Sequence, residues 1–105
     1  MIKMRRGTTP YLLCEVTDDV DLSSIKSVWL TITQGEGIVL DFITDDVHIN
    51  NNNISVGLSQ EDTLKLKAGI AGAIQIRLLN DSDIAYASQK DYVSVEGVLK
   101  DGVIA

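Results

Sequence analysis

The sequence has very few of the residues on which covalent cross-links and most enzyme sites depend. It contains one cysteine, one histidine and one proline among 105 residues. The single cysteine, Cys14, excludes an internal disulfide and suits a reducing compartment or a particle assembled in one. One proline and the lack of low-complexity segments argue against a disordered chain. The chain is therefore expected to fold around an ordinary hydrophobic core.

Motifs that carry chemistry are missing as well. There is no glycine-rich phosphate loop, no CxxC pair and no HExxH. Any Ser-His-Asp or Cys-His arrangement would have to use His48, and nothing near it resembles a nucleophile elbow. Cys14 alternates with Leu12 and Val16 and is expected to face the core as a small hydrophobe. We predict no catalytic residue and no cofactor.

Basic residues are scarce outside the first six positions. The net charge is −6, yet Lys3, Arg5 and Arg6 all stand at the start of the chain. The remaining residues carry 15 acidic against 6 basic side chains. Such a surface repels phosphate, so nucleic acid is not expected to be a partner, and the acids are best explained by solubility.

The sequence also lacks long apolar runs. No stretch approaches the roughly 20 apolar residues of a membrane helix. The first ten residues, MIKMRRGTTP, are basic but have no apolar segment behind them, so they do not read as a signal peptide. We expect neither a membrane segment nor a membrane partner.

Apolar and polar residues alternate over most of the chain, which is typical of half-buried strands. About eight short strands follow one another at roughly 8–12 residue spacing. The clearest alternations are Val28, Leu30, Ile32; Ile54, Val56, Leu58; and Ile74, Ile76, Leu78. The pattern predicts an all-β fold, an antiparallel two-sheet immunoglobulin-like β-sandwich, with a barrel as the alternative. Residues 1–105 form a single domain in this interpretation.

One short helical turn is expected near residues 60–67. Ser59 is followed three residues later by Asp62, which predicts a helix N-terminus with an imperfect capping box, and Gly69 is expected to end the turn. This turn should carry the chain from one sheet to the other. At the ends, residues 1–7 are predicted to be a flexible basic arm and residues 100–105 an apolar tail.

Two further sets of residues could have formed binding sites. Acidic side chains cluster in presumed turns and could in principle bind calcium, but none continues into a calcium-binding loop, so turn formation is the better explanation. These are Asp18, Asp19, Asp21; Asp41, Asp45, Asp46; and Asp81, Asp83. Trp29 could form a surface aromatic platform for sugars with Tyr11, Tyr86 or Tyr92, although packing is the favoured explanation. A small carbohydrate-binding module is therefore the alternative function.

Five segments across the chain carry a resemblance to a known family: RGTTP at 6–10, VWLTITQ at 28–34, LSQEDT at 58–63, IQIR at 74–77 and LKDGVI at 99–104. The chain resembles a small structural protein family of prophages and mobile elements in Gram-positive bacteria. Its layout is also similar to the immunoglobulin-like N-terminal module of phage upper-baseplate proteins. The resemblance implies a non-enzymatic virion protein, associated with the phage tail or baseplate, present in the host cytoplasm during assembly and then in the virion. Its partners would be other phage structural proteins or further copies of itself.

The two ends of the chain are the predicted assembly contacts. The basic side chains at the start complement the acidic body, and an apolar group surrounds the Asp-Gly turn near the end. The residues are Lys3, Arg5, Arg6, Val98, Leu99, Val103 and Ile104. Two alternatives stay open for the apolar group: it folds back onto its own sandwich, or it docks on a neighbour.

Overall fold

A computed structural model describes residues 2–16 and 20–105 of the chain. Nine strands account for most of the described residues: β1 Ile2–Arg5, β2 Tyr11–Glu15, β3 Ile25–Gln34, β4 Gly37–Phe42, β5 His48–Asn50, β6 Asn53–Gly57, β7 Gly72–Asn80, β8 Ala85–Ala87 and β9 Asp91–Glu96. One α-helix, α1, spans Gln60–Leu64. Two 3-10 turns, Leu22–Ser24 and Thr44–Asp46, lie in the connections between the sheets.

The strands form two separate sheets. The larger sheet has the order β1-β9-β7-β3-β4, with β8 also paired to β7, and the smaller has the order β2-β6-β5. Strands β2, β6 and β5 thus occupy the B, E and D positions of an immunoglobulin sandwich, and β9, β7, β3 and β4 occupy G, F, C and C′. The predicted immunoglobulin-like two-sheet sandwich is confirmed, and the barrel alternative is wrong. Pairing is antiparallel except between β1 and β9, which run parallel.

The core lies between the sheets and is built by the predicted alternation. Val28, Leu30 and Ile32 on β3 are completely buried. In the antiparallel register Leu30 stands opposite Ile76 of β7, so the inward faces of the two strands coincide. The smaller sheet contributes Ile54, also completely buried. Each of these large aliphatic side chains stabilises the fold by about 1.5–3 kcal/mol on burial.

Helix α1 carries the chain from β6 in the small sheet to β7 in the large one, as predicted. The Ser59 hydroxyl accepts a hydrogen bond from the Asp62 N–H at 3.0 Å, and the Asp62 carboxylate accepts one from the Ser59 N–H at 2.9 Å. Asp62 therefore completes the capping box in place of the usual Glu or Gln. The helix ends at Leu64, earlier than the predicted range of 60–67.

The predicted turns between neighbouring strands are confirmed. Gly35 and Glu36 connect β3 to β4, and the Asn-rich turn connects β5 to β6 with Asn51 at a φ of 54°. Asn tolerates this left-handed backbone conformation better than most residues do. Between β7 and β8, the Asn80 side-chain oxygen accepts hydrogen bonds from the Ser82 and Ile84 N–H groups, both at 2.9 Å.

The prediction of a flexible arm over residues 1–7 is wrong for the described residues. Ile2–Arg5 form strand β1, paired with β9 from Ile2 opposite Val93 to Arg5 opposite Glu96. The Met4 side chain is 3% exposed and belongs to the core. The apolar residues at positions 2 and 4 follow the strand period, but four residues are too few for the period to be distinctive beside three basic side chains.

Candidate functional site

The two ends of the described chain meet beside helix α1, and we name this region the terminal edge: residues 5–8, 60–66 and 97–105. The Thr63 hydroxyl of the helix donates a hydrogen bond to the Thr8 carbonyl at 2.8 Å. Gly7 has a φ of +75°, and a Cβ at this position would lie 3.5 Å from the Gly102 carbonyl oxygen. The N-terminal and C-terminal segments therefore pass close to each other at a residue whose backbone favours glycine.

The Arg6 side chain connects the N-terminal segment to helix α1 and to the C-terminal segment of the terminal edge. Its guanidinium donates to the Leu66 carbonyl at 2.9 Å and to the Leu64 carbonyl at 3.0 Å, and it forms an ion pair with Asp101. Leu64 is the last residue of helix α1 and Leu66 follows its C-cap, so both carbonyls lie where backbone acceptors lack partners within the helix. Arg6, one of the predicted assembly contacts, thus has its guanidinium bound within its own chain.

The other predicted basic contacts lie on the outer side of β1. Arg5 forms an exposed ion pair with Glu96 of β9 at 3.2 Å, so it too is engaged within the chain. Lys3 is exposed on the same strand. Lys3 and Arg5 therefore lie on a paired strand and not on the flexible arm that the sequence predicted.

The C-terminal tail, residues 97–105, is held by its backbone and exposes its apolar side chains. The Gln60 side-chain amide donates to the Ile104 carbonyl at 3.3 Å and accepts from the Ile104 N–H at 2.7 Å. Leu99 is fully exposed and Ile104 is 81% exposed, and Val98 and Val103 are exposed as well. The tail therefore folds back onto its own sandwich through its backbone, but its apolar side chains are not buried there.

Sequence reasoning missed the residues that position the tail. Gln60 is the first residue of a short helix, and nothing local distinguishes it from a solvated side chain. Thr63 was given no role from the sequence, yet it is completely buried and its hydroxyl donates a hydrogen bond to the Thr8 carbonyl. A β-branched hydroxyl residue one turn after a cap was the only available signal, and that signal is weak.

The only cysteine and the only histidine lie in the same sheet but on opposite faces. In the aligned strands Cys14 stands in a row with Ile54, which is completely buried, whereas His48 stands in a row with Ser55 and Leu13. Residues directly opposite each other on neighbouring strands share a face. The Cys14 thiol and the His48 imidazole are thus separated by the sheet and cannot form a nucleophile–base pair.

The Cys14 thiol is expected to react slowly. Burial, and secondarily the negative charge of Asp91, raise the pKa of the Cys14 thiol. The reactive thiolate is therefore scarcer than in the unfolded chain at the same pH. Iodoacetamide should alkylate the native protein more slowly than the urea-unfolded protein, with the inflection of the rate profile at higher pH. Equal rates would contradict this, and Cys14→Ser, which removes the only thiol, is the blank.

The same pKa shift gives a pH dependence of stability. The pKa of the Cys14 thiol is higher in the folded than in the unfolded chain. The contribution of this thiol to the free energy of unfolding is therefore fully present at pH values below the unfolded-state pKa. It is lost as the pH rises through the folded pKa.

Two of the clustered acidic side chains, Asp21 and Asp46, accept hydrogen bonds in turns. The Asp21 carboxylate accepts hydrogen bonds from the Ser23 N–H at 3.0 Å and the Ser23 hydroxyl at 2.7 Å, which lower the pKa of Asp21. The Asp46 carboxylate accepts a hydrogen bond from the Ile43 N–H at 2.9 Å, at the start of the 3-10 turn Thr44–Asp46 that Asp46 itself ends. Asp18 and Asp19 lie outside the described residues. Within residues 2–16 and 20–105, no three potential metal ligands lie together.

Trp29 does not join the tyrosines in an aromatic platform. It is 53% exposed on the outer face of β3, with the Arg77 guanidinium 5.4 Å from the centre of its ring. Tyr11 lies in the other sheet, Tyr86 packs against the core, and Tyr92 lies two strands away on β9. A shallow cavity of about 240 Å³ adjoins Trp29, lined by Ser27, Trp29, Arg77, Leu78, Leu79 and Ala85. A carbohydrate-binding module would therefore rely on one aromatic ring with a cation over it.

Comparisons with known proteins add little to this geometry. No protein-family model matches the chain, and no curated protein matches it. Among solved structures, the chain is similar to the V domain of amphioxus IgVJ-C2, with 12% identical residues and a TM-score of 0.35 over 90% of this chain and 99% of that one. The immunoglobulin-like assignment rests on the strand order described above. In the described part of the chain, no helix is long and apolar enough to cross a membrane.

Proposed function

We propose that this chain is a non-enzymatic structural protein of a phage or prophage particle, associated with the phage tail or baseplate. It acts by binding a neighbouring protein through the terminal edge. The observation that carries the proposal is the C-terminal tail: Gln60 binds the Ile104 backbone and Arg6 pairs with the Asp101 carboxylate, while Leu99 and Ile104 are exposed. The resemblance of the sequence to prophage structural proteins supports the proposal that the particle is that of a phage or prophage.

A tail held in this way is suited to binding. Ordering the backbone of one residue costs about 1–2 kcal/mol, and a segment that is already ordered does not incur that cost when a partner binds. Burying Leu99 and Ile104 against a partner would contribute roughly 1.5–3 kcal/mol for each side chain. The expected partner surface is an apolar depression that accepts these two side chains, since the tail itself offers them no cover.

The absence of a catalytic arrangement in the described residues is consistent with a binding role. Cys14 and His48 face opposite sides of one sheet, and the Asp21 and Asp46 carboxylates accept hydrogen bonds in turns. Immunoglobulin-like sandwiches host many functions, so the fold by itself does not select one. The choice rests on the exposed apolar side chains and on the resemblance.

The proposal can be tested on particles purified from the induced host. The chain should be found by mass spectrometry in density-purified particles at a constant ratio to the other structural proteins. Lys100, exposed in the C-terminal tail, provides a built-in site for amine cross-linking. Cross-links from Lys100 to another particle protein are expected. Absence of the chain from purified particles would contradict the proposal.

A further inference from the structure

The sheet edges of this protein differ in how well they are protected against pairing with another strand. Edge strands present unpaired N–H and C=O groups, and natural proteins protect them with charges, bulges or short length. Strand β1 carries Lys3 and Arg5. Strand β4 has a register shift opposite Ile32 and Thr33, the mark of a bulge. Strands β5 and β8 have only three residues each.

Strand β2 is less protected, because its only charged side chain is Glu15 at its end. Its five residues pair with β6 without a register shift, from Tyr11 opposite Gly57 to Glu15 opposite Asn53. It carries no Lys or Arg, and two large side chains, Tyr11 and Leu13, are exposed on its outer face. Strand β2 is therefore the least protected edge of the described structure.

The hydrogen bonds that flank β2 show which of its groups face outward. The Pro10 carbonyl accepts from the Leu58 N–H at 2.9 Å, and the Val16 N–H donates to the Asn52 carbonyl at 2.8 Å. Even-numbered positions thus face β6, and the alternation of an antiparallel ladder turns the backbone groups of Tyr11, Leu13 and Glu15 away from it.

No described strand covers this outward side of β2, which is the end of its sheet. In the immunoglobulin arrangement a first strand lies beside strand B, but here β1 pairs with β9 of the other sheet. Pro10 does not protect the edge, because it precedes β2 and belongs to the positions that face β6. The position beside β2 is therefore open to an additional strand.

We propose that a second copy of this chain occupies that position, pairing antiparallel through β2 about a two-fold axis at Leu13. Leu13 then faces Leu13 of the second copy, and Tyr11 faces Glu15 at both ends. Each of these pairs exchanges two hydrogen bonds, about six in all. The two small sheets become one continuous sheet, and the contact is isologous, so it closes at a dimer.

The residues of β2 favour this symmetric arrangement over a parallel one. The two exposed Leu13 side chains cover each other at the axis. The two Glu15 carboxylates lie about four residues apart along the strands, roughly 14 Å, which exceeds the screening length of about 8 Å at physiological salt. In a parallel pairing at the same register Glu15 would stand beside Glu15. Since two five-residue strands bury less than a standard interface, the dimer is expected to dissociate on dilution.

This inference goes beyond the proposed function, since it involves β2 and not the C-terminal tail. The full-length chain with Leu99→Asp and Ile104→Asp, both at exposed positions of the C-terminal tail, should dimerise like wild type. Failure of the phage proposal would leave the β2 contact unaffected.

Site-specific cross-linking tests the register directly. In a Cys14→Ser background, Leu13→Cys places two thiols at the axis with Cα atoms about 5.5 Å apart, within the range for a disulfide. Tyr11→Cys places them roughly 14 Å apart, which no disulfide spans. Mild oxidation at concentrations where the protein dimerises should link the Leu13→Cys chains and leave the Tyr11→Cys chains unlinked. Equal linking of both variants would overturn the proposal.

Sedimentation equilibrium measures the dimer dissociation constant and gives a second test, with a control substitution at an equally exposed residue. Leu13 and Ile38 are both 66% exposed, but Ile38 lies on the bulged edge strand β4. Leu13→Lys should raise the dimer dissociation constant at least tenfold, whereas Ile38→Lys should leave it unchanged. A wild-type chain that remains monomeric at millimolar concentration, or a Leu13→Lys variant that dimerises like wild type, would overturn the proposal.

Discussion

Replacement of Arg6 by alanine is expected to lower the free energy of unfolding by about 2–4 kcal/mol. The Arg6 guanidinium donates to the carbonyls of Leu64 and Leu66 and pairs with Asp101. Hydrogen bonds that involve a charged group are worth about 1.5–3 kcal/mol, and the variant would leave two carbonyls at the helix end without these donors. Urea unfolding monitored by circular dichroism measures the change.

Arg5→Ala is the matched control for this prediction. Arg5 neighbours Arg6 in the sequence, but its ion pair with Glu96 is exposed on both sides. Exposed pairs contribute about 0–1 kcal/mol, so this variant should be nearly as stable as wild type. Arg6→Lys should lie between the two, because an ammonium lacks the planar fork of donors. An Arg6→Ala variant as mild as Arg5→Ala would mean that the N-terminal segment is the free arm predicted from the sequence.

Replacement of Gly72 by alanine is expected to cost about 2–3 kcal/mol, near the top of the usual range for overpacking. A Cβ built at Gly72 would lie 2.6 Å from the Thr33 carbonyl oxygen and 3.3 Å from Cγ of Gln34. The nearest atom is backbone of β3, the central neighbour of β7, so relief of the clash requires the two strands to separate locally. The change should appear as a lower denaturation midpoint in urea with an unchanged slope.

Gly97→Ala is the control for the Gly72 prediction. A Cβ at Gly97 would lie 3.5 Å from the Cβ of Ala68, an ordinary contact, and Gly97 is not in the left-handed region. This variant should remain within about 0.5 kcal/mol of wild type, like most substitutions away from special sites. Equal stability of the Gly72→Ala and Gly97→Ala variants would contradict the close approach of β7 to β3 at Gly72.

The architecture was predictable where the signal is local and repeated. The alternation in β3, β6 and β7 fixes which side chains are buried, because a shift of one residue would expose the whole apolar set. The Ser59–Asp62 capping box lies within four residues, and so does the Asn-rich turn between β5 and β6. In each case the physical cause and the residues that reveal it are close together in the chain.

The terminal edge was not predictable, because its contacts join residues far apart in sequence. Arg6 pairs with Asp101 across 95 residues, and Gln60 binds the Ile104 backbone across 44. Strand β1 pairs with β9 over a similar separation, and only two of its four residues are apolar. A charged residue is taken to be solvated unless its partner is known. The sequence therefore indicated a free basic arm, whereas in the structure Arg6 binds Leu64, Leu66 and Asp101.

The position of exposed aromatic and apolar side chains was also beyond sequence reasoning. Alternation correctly placed Trp29 on an outward face, but it could not show that Tyr92 lies two strands away. For the C-terminal tail, burial and exposure were equally compatible with the residue types. The contacts of Gln60 and Arg6 decided between them, since they fix the backbone while leaving Leu99 and Ile104 in solvent.

The most direct test of docking through the terminal edge is incorporation of a variant C-terminal tail into particles. Leu99→Asp combined with Ile104→Asp removes the exposed apolar side chains. The matched control is Ile38→Asp combined with Ile84→Asp, which replaces two other exposed large aliphatic side chains and changes the net charge by the same amount. All four side chains are exposed. The free energy of unfolding of both variants should therefore differ from that of wild type by no more than about 0.5 kcal/mol per substitution.

Each variant is expressed beside the wild-type chain in the induced host, and the ratio of the two is measured by mass spectrometry in purified particles. The expected result is that the tail variant is depleted at least tenfold relative to wild type, while the Ile38/Ile84 variant is incorporated equally. Incorporation of the folded tail variant at the wild-type level would contradict docking through the terminal edge.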